Sequence, residues 1–369
     1  MKKHKFTLIK RLVAIAIIAI LAAPPFLLPA DGQTRLDPVL APYVEQVEQA
    51  VENGLRFLMD TQNEDGSFPG RYGRAPGVVG LAGMSFLAAG YLPDHPVYGP
   101  TILRCLEFLL HCQRDNGYIT ARQGSDKGMY SHAIATLFMS ELSGMMAPEH
   151  QRRIDQALPK ALAVIIRAQN VDKPEQHQGG WRYDPTSRDS DLSVSGWTLM
   201  ALRSARINGA RIPAENIERG VQYILGLQDR EGDAKGGFRY MRDRRGRMAY
   251  MTVQTGLAVL CLQLTGHHDS EEVAMGQRFM LERYLNLAGD NNELYGLYYY
   301  AQASFQSGGE LWERFAAWMY QRYLPRQRDN GSWPQEQNTP AYSTSMVLLS
   351  LTVPYRQLPI YIRDETVDE

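Results

Sequence analysis

The sequence predicts an all-α protein built from one helical hairpin that occurs six times and closes into a ring. Three observations lead to this fold class. A pattern of small residue, aromatic or aliphatic pair, Gln, Gly and aromatic residue recurs after residue 40. The glutamines of its first four copies are separated by 51, 56 and 59 residues. Each copy is followed by an apolar run with helical spacing, so the period marks a repeat architecture.

The amino-acid composition argues against a nucleic-acid-binding protein and against a disulfide-stabilised one. The chain of 369 residues carries 39 Lys and Arg against 40 Asp and Glu, which argues against a nucleic-acid partner because such proteins normally show a basic excess. With 44% hydrophobic residues, the chain can build a sizeable core. Its three cysteines are too few and too odd in number for a disulfide framework.

Residues 1–32 have the layout of a secretory signal. Five Lys or Arg residues precede an uncharged run at 12–28, and small residues follow near Ala30. We therefore expect an exported protein, periplasmic or extracellular, whose folded domain is residues 33–369. The alternative is an uncleaved N-terminal anchor, since the run of 17 residues is at the short end of the range that spans a bilayer.

Each repeat starts with an amphipathic segment that carries surface charge, as an outer helix should. A degenerate copy fills the double gap of 99 residues between Gln228 and Gln327, with Tyr284 in place of the glutamine. The copies are Gly54–Phe68, Arg104–Tyr118, Lys160–Trp181, Arg219–Phe238, Gly276–Leu285 and Gln327–Trp333.

The second half of each repeat is apolar nearly all round, which predicts helices surrounded by protein. These segments are residues 76–90, 129–144, 192–205, 251–266, 293–309 and 341–353. Six such hairpins can stack as an open solenoid or close into a ring. The ring is favoured because neither terminal unit carries a polar cap. Residues 354–364 are apolar and bounded by proline, which is typical of a strap packed on the barrel.

The repeat resembles the QW repeat of squalene and oxidosqualene cyclases, which protein prenyltransferase β subunits share more loosely. Arg219–Phe238 matches it most fully, although its Gln-to-Gly spacer is longer than usual. The resemblance covers essentially all of the chain after the signal. It implies a single (α/α)6 toroid around an apolar cavity. It also implies that each repeat glutamine bridges neighbouring helix ends, with the aromatic ring stacked beside it.

The resemblance implies a candidate acid at the start of the third inner helix. Squalene-hopene cyclases carry an Asp-x-Asp-Asp motif whose middle Asp protonates an alkene. Here Asp189 and Asp191 take the first and middle positions, and Leu192 replaces the last Asp. Protonating an alkene requires a carboxylic acid whose neighbours keep it neutral. The alternatives are that either Asp caps the helix or serves in binding.

His132 is the third candidate catalytic residue. Aligning the inner helices on their small residues places it in one layer with Val79, Ser195, Thr255, Tyr295 and Thr344. If this layer faces inward, His132 lies beside the helix of Asp191 and can form an Asp–His hydrogen bond; in the cyclases a His tunes the acid in this manner. The alternative is a hydrogen-bonded core histidine.

Aromatic residues are dense at the inner helices, where ring faces can stabilise cationic centres. Ordinary packing is the alternative. The candidate substrate-binding residues are Tyr130, Trp197, Tyr250, Tyr295, Tyr298 and Tyr342.

No metal or other cofactor is expected. The prenyltransferases hold zinc through an Asp-x-Cys pair and a distant His, and this chain contains no Asp-x-Cys.

The sequence thus favours an exported terpene-cyclase-like protein that binds an isoprenoid or other apolar ligand, or cyclises it by acid-initiated chemistry. It would contact a membrane only through an uncleaved N-terminal anchor. The chief alternative is a non-catalytic envelope protein that binds a lipid, glycan or protein on the same toroid. A polysaccharide-active enzyme is a third alternative, since unrelated (α/α)6 barrels serve lyases and glycosidases.

Overall fold

The computed structural model describes residues 37–121, 128–242, 248–334 and 338–361, without the side chains of 248–250. These residues form twelve α-helices joined by turns and short 3-10 helices. None of these helices is long and apolar enough to cross a bilayer. The signal or anchor expected at 1–32 lies outside the described residues.

In chain order the helices are α1 (Val44–Thr61), α2 (Pro76–Ala88), α3 (Gly99–Cys112), α4 (Gly128–Leu142), α5 (Pro148–Gln169), α6 (Leu192–Ile207), α7 (Ala214–Leu225), α8 (Met248–Leu264), α9 (Glu271–Arg283), α10 (Glu293–Ser307), α11 (Gly309–Tyr323) and α12 (Pro340–Leu351).

The even-numbered helices form a closed inner ring. Each packs on the next in chain order, and α12 packs on α2. The odd-numbered helices lie outside: α3, α5, α7, α9 and α11 each pack on the preceding inner helix, and α1 packs on α12. This arrangement confirms the predicted all-α toroid of six helical hairpins.

Burial separates the two layers as the hydrophobic patterns predict. All thirteen residues of α2 are buried, so this inner helix is covered on every side. On α1 the buried residues form one face, which includes Val47, Val51 and Leu58, while its charged residues point outward. An apolar stripe is what an outer helix needs to pack on an inner one.

Five of the six hairpins are joined by the same glutamine bonds. Gln327 Nε2 donates to the Gly331 carbonyl in its own turn (2.9 Å) and to the Ala50 carbonyl of α1 (2.8 Å), which ties the last hairpin to the first. The corresponding donors and acceptors are Gln62 with Gly66 and Thr101, Gln113 with Gly117 and Ala157, Gln169 with Gly179 and Asn216, and Gln228 with Gly236 and Glu272.

Each of these turns needs glycine for two reasons. Gly331 has φ of 86°, and a Cβ there would lie 2.2 Å from the Asn53 carbonyl oxygen of α1. The same positive φ and the same close approach to the next outer helix occur at Gly66, Gly117, Gly179 and Gly236. We call this combination of glutamine bonds and glycine contact the Gln–Gly interlock.

The interlock corrects two details of the sequence alignment. The turn glycines of the third and fourth copies are Gly179 and Gly236, one residue before those that the pattern indicated. In the second copy the buried residue after the turn is Ile119, while Tyr118 is partly exposed. The reason is that the positive φ, and not the Gly-aromatic dipeptide, defines the turn.

The fifth hairpin, where Tyr284 replaces the glutamine, is held by Glu293 instead. This carboxylate accepts from the Gly289 N–H (2.6 Å), from Arg322 Nε (2.8 Å) and from the Tyr323 hydroxyl (2.6 Å). Burial opposes its ionisation, but these hydrogen bonds outweigh burial and lower the pKa of Glu293 to about 2. In this hairpin the charged carboxylate of Glu293 therefore takes the place of the neutral glutamine amide.

Gly331→Ala should destabilise the protein more than Gly209→Ala. Both glycines have positive φ (86° and 89°), so each alanine carries a conformational cost of about 1–2 kcal/mol. At position 209 nothing lies within 4 Å of the new Cβ, whereas at 331 it meets the Asn53 oxygen. Relieving that clash should cost about 1–3 kcal/mol more, which urea unfolding at pH 7 would measure. Equal unfolding free energies for the two variants would contradict the interlock.

Candidate active site

The N-terminal ends of the inner helices form one end of the toroid, called the mouth here, and Arg182 is its central charge. Arg182 precedes α6 in the loop 181–191. Its Nη1 donates to Asp191 Oδ2 (2.6 Å) and to the Tyr240 hydroxyl (2.7 Å), and its Nε lies 3.2 Å from Asp189 Oδ2. With Tyr183, these residues make up the mouth cluster. Arg182 thus bridges both aspartates of the predicted acid motif.

Asp191 is the N-cap of α6. Its Oδ1 accepts from the Val194 N–H (2.9 Å), and its side chain is fully buried. Burial raises the pKa of Asp191, while the Val194 N–H and the Arg182 guanidinium oppose that rise. Because a guanidinium has only donors, Oδ2 must be the acceptor in the Arg182 bond. The cap named as an alternative from sequence is therefore present, and both oxygens are occupied.

Partly exposed phenols surround the guanidinium. Arg182 lies 4.3 Å from the centroid of the Tyr183 ring, and the hydroxyls of Tyr183 and Tyr240 are 2.5 Å apart. Tyr183 stacks on Tyr130 at 5.9 Å, and the Tyr130 hydroxyl lies 3.4 Å from that of Tyr295. Since α4 and α10 are opposite each other in the ring, Tyr130 and Tyr295 meet across it.

The long spacer of the third repeat, between Gln169 and Gly179, holds the loop 181–191 in place. Lys173, within this spacer, donates from Nζ to the carbonyls of Ala168 (3.1 Å) and Gly180 (2.5 Å). His177 Nδ1 accepts from the Ser190 N–H (3.1 Å). The extra residues between Gln169 and Gly179 thus fasten both ends of the segment that carries Arg182.

His132 does not form the expected hydrogen bond to Asp191. Its Nδ1 accepts from the Ile119 N–H (3.0 Å), and its Nε2 lies 3.0 Å from the Ala161 carbonyl oxygen of α5. Burial lowers the pKa of His132 to about 4 despite the bond to Ala161, so the ring is neutral. Both nitrogens therefore serve the backbone.

Four members of the layer, His132 among them, bind the repeat turns, whereas Tyr295 of the same layer meets Tyr130 across the ring. Three other members accept an N–H from a turn in the same way. These pairs are Ser195 with Trp181 (2.9 Å), Thr255 with Phe238 (3.0 Å) and Thr344 with Trp333 (3.4 Å). His132 is the counterpart of these hydroxyls, which explains why it occurs on an apolar helix.

The candidate substrate-binding aromatics separate into two levels. Tyr130 and Tyr295 lie at the mouth. Deeper along the helices, the buried ring of Trp197 stacks on Tyr298 at 5.4 Å and 8°. Tyr342 is partly exposed in the first turn of α12, three helices from α6. The side chain of Tyr250 lies outside the described part of the chain.

Sequence reasoning missed Arg182, Tyr183 and Tyr240. A signal for them exists, because the third and fourth turns continue alike, as Trp181-Arg182-Tyr183 and Phe238-Arg239-Tyr240. Within the described ranges, no three His, Cys, Asp or Glu side chains are grouped so as to hold a metal ion.

The chain is similar in structure to several toroid enzymes. For type II terpene cyclase MstE from Scytonema, in complex with geranylgeranyl dihydroxybenzoate (substrate), the TM-score is 0.52 at 15% identity over 86% of this chain and 100% of that chain. For cellobiose 2-epimerase from Spirochaeta thermophila the TM-score is 0.61 at 12% identity, over 88% of this chain and 99% of that chain. For a protein from Actinoplanes the TM-score is 0.53 at 16% identity, over 84% of this chain and 99% of that chain. No protein-family model and no curated protein matches the sequence. At these identities the likeness shows the (α/α)6 toroid fold alone.

Arg182→Met should destabilise the protein by about 3 kcal/mol at pH 7, because it leaves the buried Asp191 carboxylate unpaired. The loss should shrink as the pH falls, since protonation then removes the unpaired charge. Asp189→Asn is the matched control. Asp189 is 45% exposed, so losing its contact with Arg182 should cost less than about 1 kcal/mol. Urea unfolding at pH 5 and pH 7 measures both variants, and a pH-independent loss in Arg182→Met would show that the pair is not what stabilises the loop.

Proposed function

We propose that the toroid binds an amphipathic isoprenoid, with the oxygen-bearing end of the ligand at the mouth cluster. The observation that carries this proposal is the order of side chains along the toroid. Charged and phenolic groups lie at the mouth, and the stacked rings of Trp197 and Tyr298 lie beneath them. A ligand with one polar end and an apolar chain matches that order.

Binding is favoured over acid-initiated cyclisation by the state of Asp191. A Brønsted acid must present a proton to the alkene, whereas Asp191 gives one oxygen to the α6 cap and the other to Arg182. Leu192 contributes no second carboxylate and is itself fully buried. The group that would start the reaction is therefore committed to the fold.

Entry of an apolar chain requires Tyr130 and Tyr295 to separate. They meet through a single hydroxyl contact of 3.4 Å, and both are partly exposed. A neutral hydrogen bond of this kind contributes about 1 kcal/mol, which ligand burial can offset. The pair would therefore act as a gate between the mouth and the Trp197 level.

A disaccharide at the mouth is the second candidate. It is favoured by the contact between Tyr130 and Tyr295 across the ring and by the polar surface of arginine, carboxylate and phenols at the mouth. The likeness to a cellobiose 2-epimerase supports this candidate at the level of fold. It predicts binding without any change around Trp197.

We also propose that the protein is exported, on the evidence of the basic and apolar segments within residues 1–32. Mass spectrometry of the N-terminal peptide from a membrane-free periplasmic extract tests this. A mature N-terminus near residue 33 supports export with cleavage. An intact Met1 in the cytosolic fraction contradicts export.

The ligand proposal is tested by titrating the purified protein with geranylgeraniol, squalene and cellobiose, followed by calorimetry and tryptophan fluorescence. Geranylgeraniol should bind at least about tenfold more tightly than squalene, because only the alcohol offers the mouth a hydrogen-bonding group. Tyr183→Phe should weaken the alcohol about five- to tenfold and leave squalene unchanged. The fluorescence response should disappear in Trp197→Phe.

Two outcomes would overturn the proposal. Binding of cellobiose alone, with no fluorescence change that depends on Trp197, would favour the disaccharide candidate. Conversion of an isoprenoid to a cyclised product that Asp191→Asn abolishes would establish Asp191 as an acid. Mass spectrometry of the recovered ligand distinguishes binding from conversion.

A further inference from the structure

The C-terminal segment of the chain covers the end of the toroid away from the mouth. After α12 the backbone makes two 3-10 turns, Val353–Tyr355 and Pro359–Tyr361. Leu358 and Ile360 are 3% and 1% exposed, so this segment is packed into the end where the inner helices terminate. Residues 353–361 are called the strap below.

Two buried ionisable side chains, Arg203 and Glu141, are hydrogen-bonded to the backbone of one strap residue. Arg203 Nη1 of α6 donates to the Ile360 carbonyl oxygen (2.6 Å), and the Ile360 N–H donates to Glu141 Oε2 of α4 (3.4 Å). Glu141 and Arg203 are only 1% and 4% exposed. Near them, Gln306 Nε2 of α10 donates to the Tyr361 carbonyl oxygen (2.8 Å). The long bond from Ile360 to Glu141 is the weakest of these contacts.

The strap also contacts the stacked aromatic rings that lie beneath the mouth. The Tyr361 hydroxyl is hydrogen-bonded to that of Tyr298, and Tyr298 stacks on Trp197. Removing the strap would therefore expose the interior from this end.

Glu141 is the group at this end whose charge changes near neutral pH. Burial raises its pKa to about 7, against the bonds from Ser204 and the Ile360 N–H and the positive charge of Arg203. The other ionisable groups that face it are Tyr298, Tyr361 and, beyond them on α8, Cys261. Burial raises the pKa of each of these, which keeps them neutral.

We propose that the strap is a reversible plug, held by Glu141 and Arg203 and released when Glu141 loses its proton. In the closed state the carboxyl group is removed from water, whereas an open strap lets water hydrate the carboxylate. The closed state therefore binds the proton more tightly. Closure is fully favoured at low pH and is lost as the pH rises through about 7. This proposal does not depend on which ligand the toroid binds.

Hydrogen exchange of the full-length protein tests the plug. Protection factors of peptides from residues 353–361, corrected for the intrinsic exchange rate at each pH, report how often the strap opens. If Glu141 has a pKa of about 7 in the closed state and its ordinary 4.5 in the open state, opening should increase about tenfold from pH 6 to pH 8. Peptides from α5 should keep their protection over this range.

Glu141→Gln should abolish the pH dependence of strap protection, because the amide keeps an acceptor for the Ile360 N–H but cannot ionise. Glu310→Gln, at an exposed glutamate of α11, is the matched control and should behave like the wild type. A wild-type strap whose protection does not change between pH 6 and pH 8 overturns the proposal, whether or not Glu141→Gln folds. A Glu141→Gln strap that retains the wild-type pH dependence overturns it as well, because another group would then control release.

Discussion

The Gln–Gly interlock is the interaction on which the rest of the molecule depends. In each of five turns an amide joins two backbone carbonyls that belong to different hairpins, and a glycine allows the next outer helix to approach within contact. Neighbouring hairpins are thereby joined by the same set of contacts at five of the six junctions. The last of these contacts, from Gln327 to Ala50, turns a row of hairpins into a ring. Without it, α12 and α2 would both expose apolar faces to water.

Closure of the ring also decides where functional groups can lie. Polar residues of one layer on the inner helices, including His132 and Thr255, are used to hold the repeat turns. The charged groups at the mouth therefore come from the turns, while the inner helices supply Tyr130 and Tyr295. Arg182 directly follows the buried Trp181 of its repeat, and Tyr240 lies two residues after the buried Phe238.

The two ends of the toroid each hold a buried carboxyl group, with different partners. At the mouth Asp191 accepts from Arg182 and from a helix N–H, and both bonds oppose the rise of its pKa that burial causes. At the other end Glu141 has hydroxyl and backbone donors, and Arg203 is engaged by the strap carbonyl. Burial then dominates and favours the neutral acid. Burial raises the pKa at both sites, and the two carboxyl groups differ in what they hold, which is the loop before α6 at Asp191 and the strap at Glu141.

The sequence by itself determined the all-α toroid and its six hairpins, including the degenerate fifth, because the glutamine period and the apolar runs are local patterns that each hairpin repeats. It also placed Tyr130 and Tyr295 on inner helices and named a cap as one role for Asp191. Only the tertiary structure decided which way His132 points, because a helix that is apolar all round has no periodicity to mark its inner face. Likewise, the bonds from Arg182 to Asp191 and Tyr240 join separate turns, and only the closed ring brings those turns together.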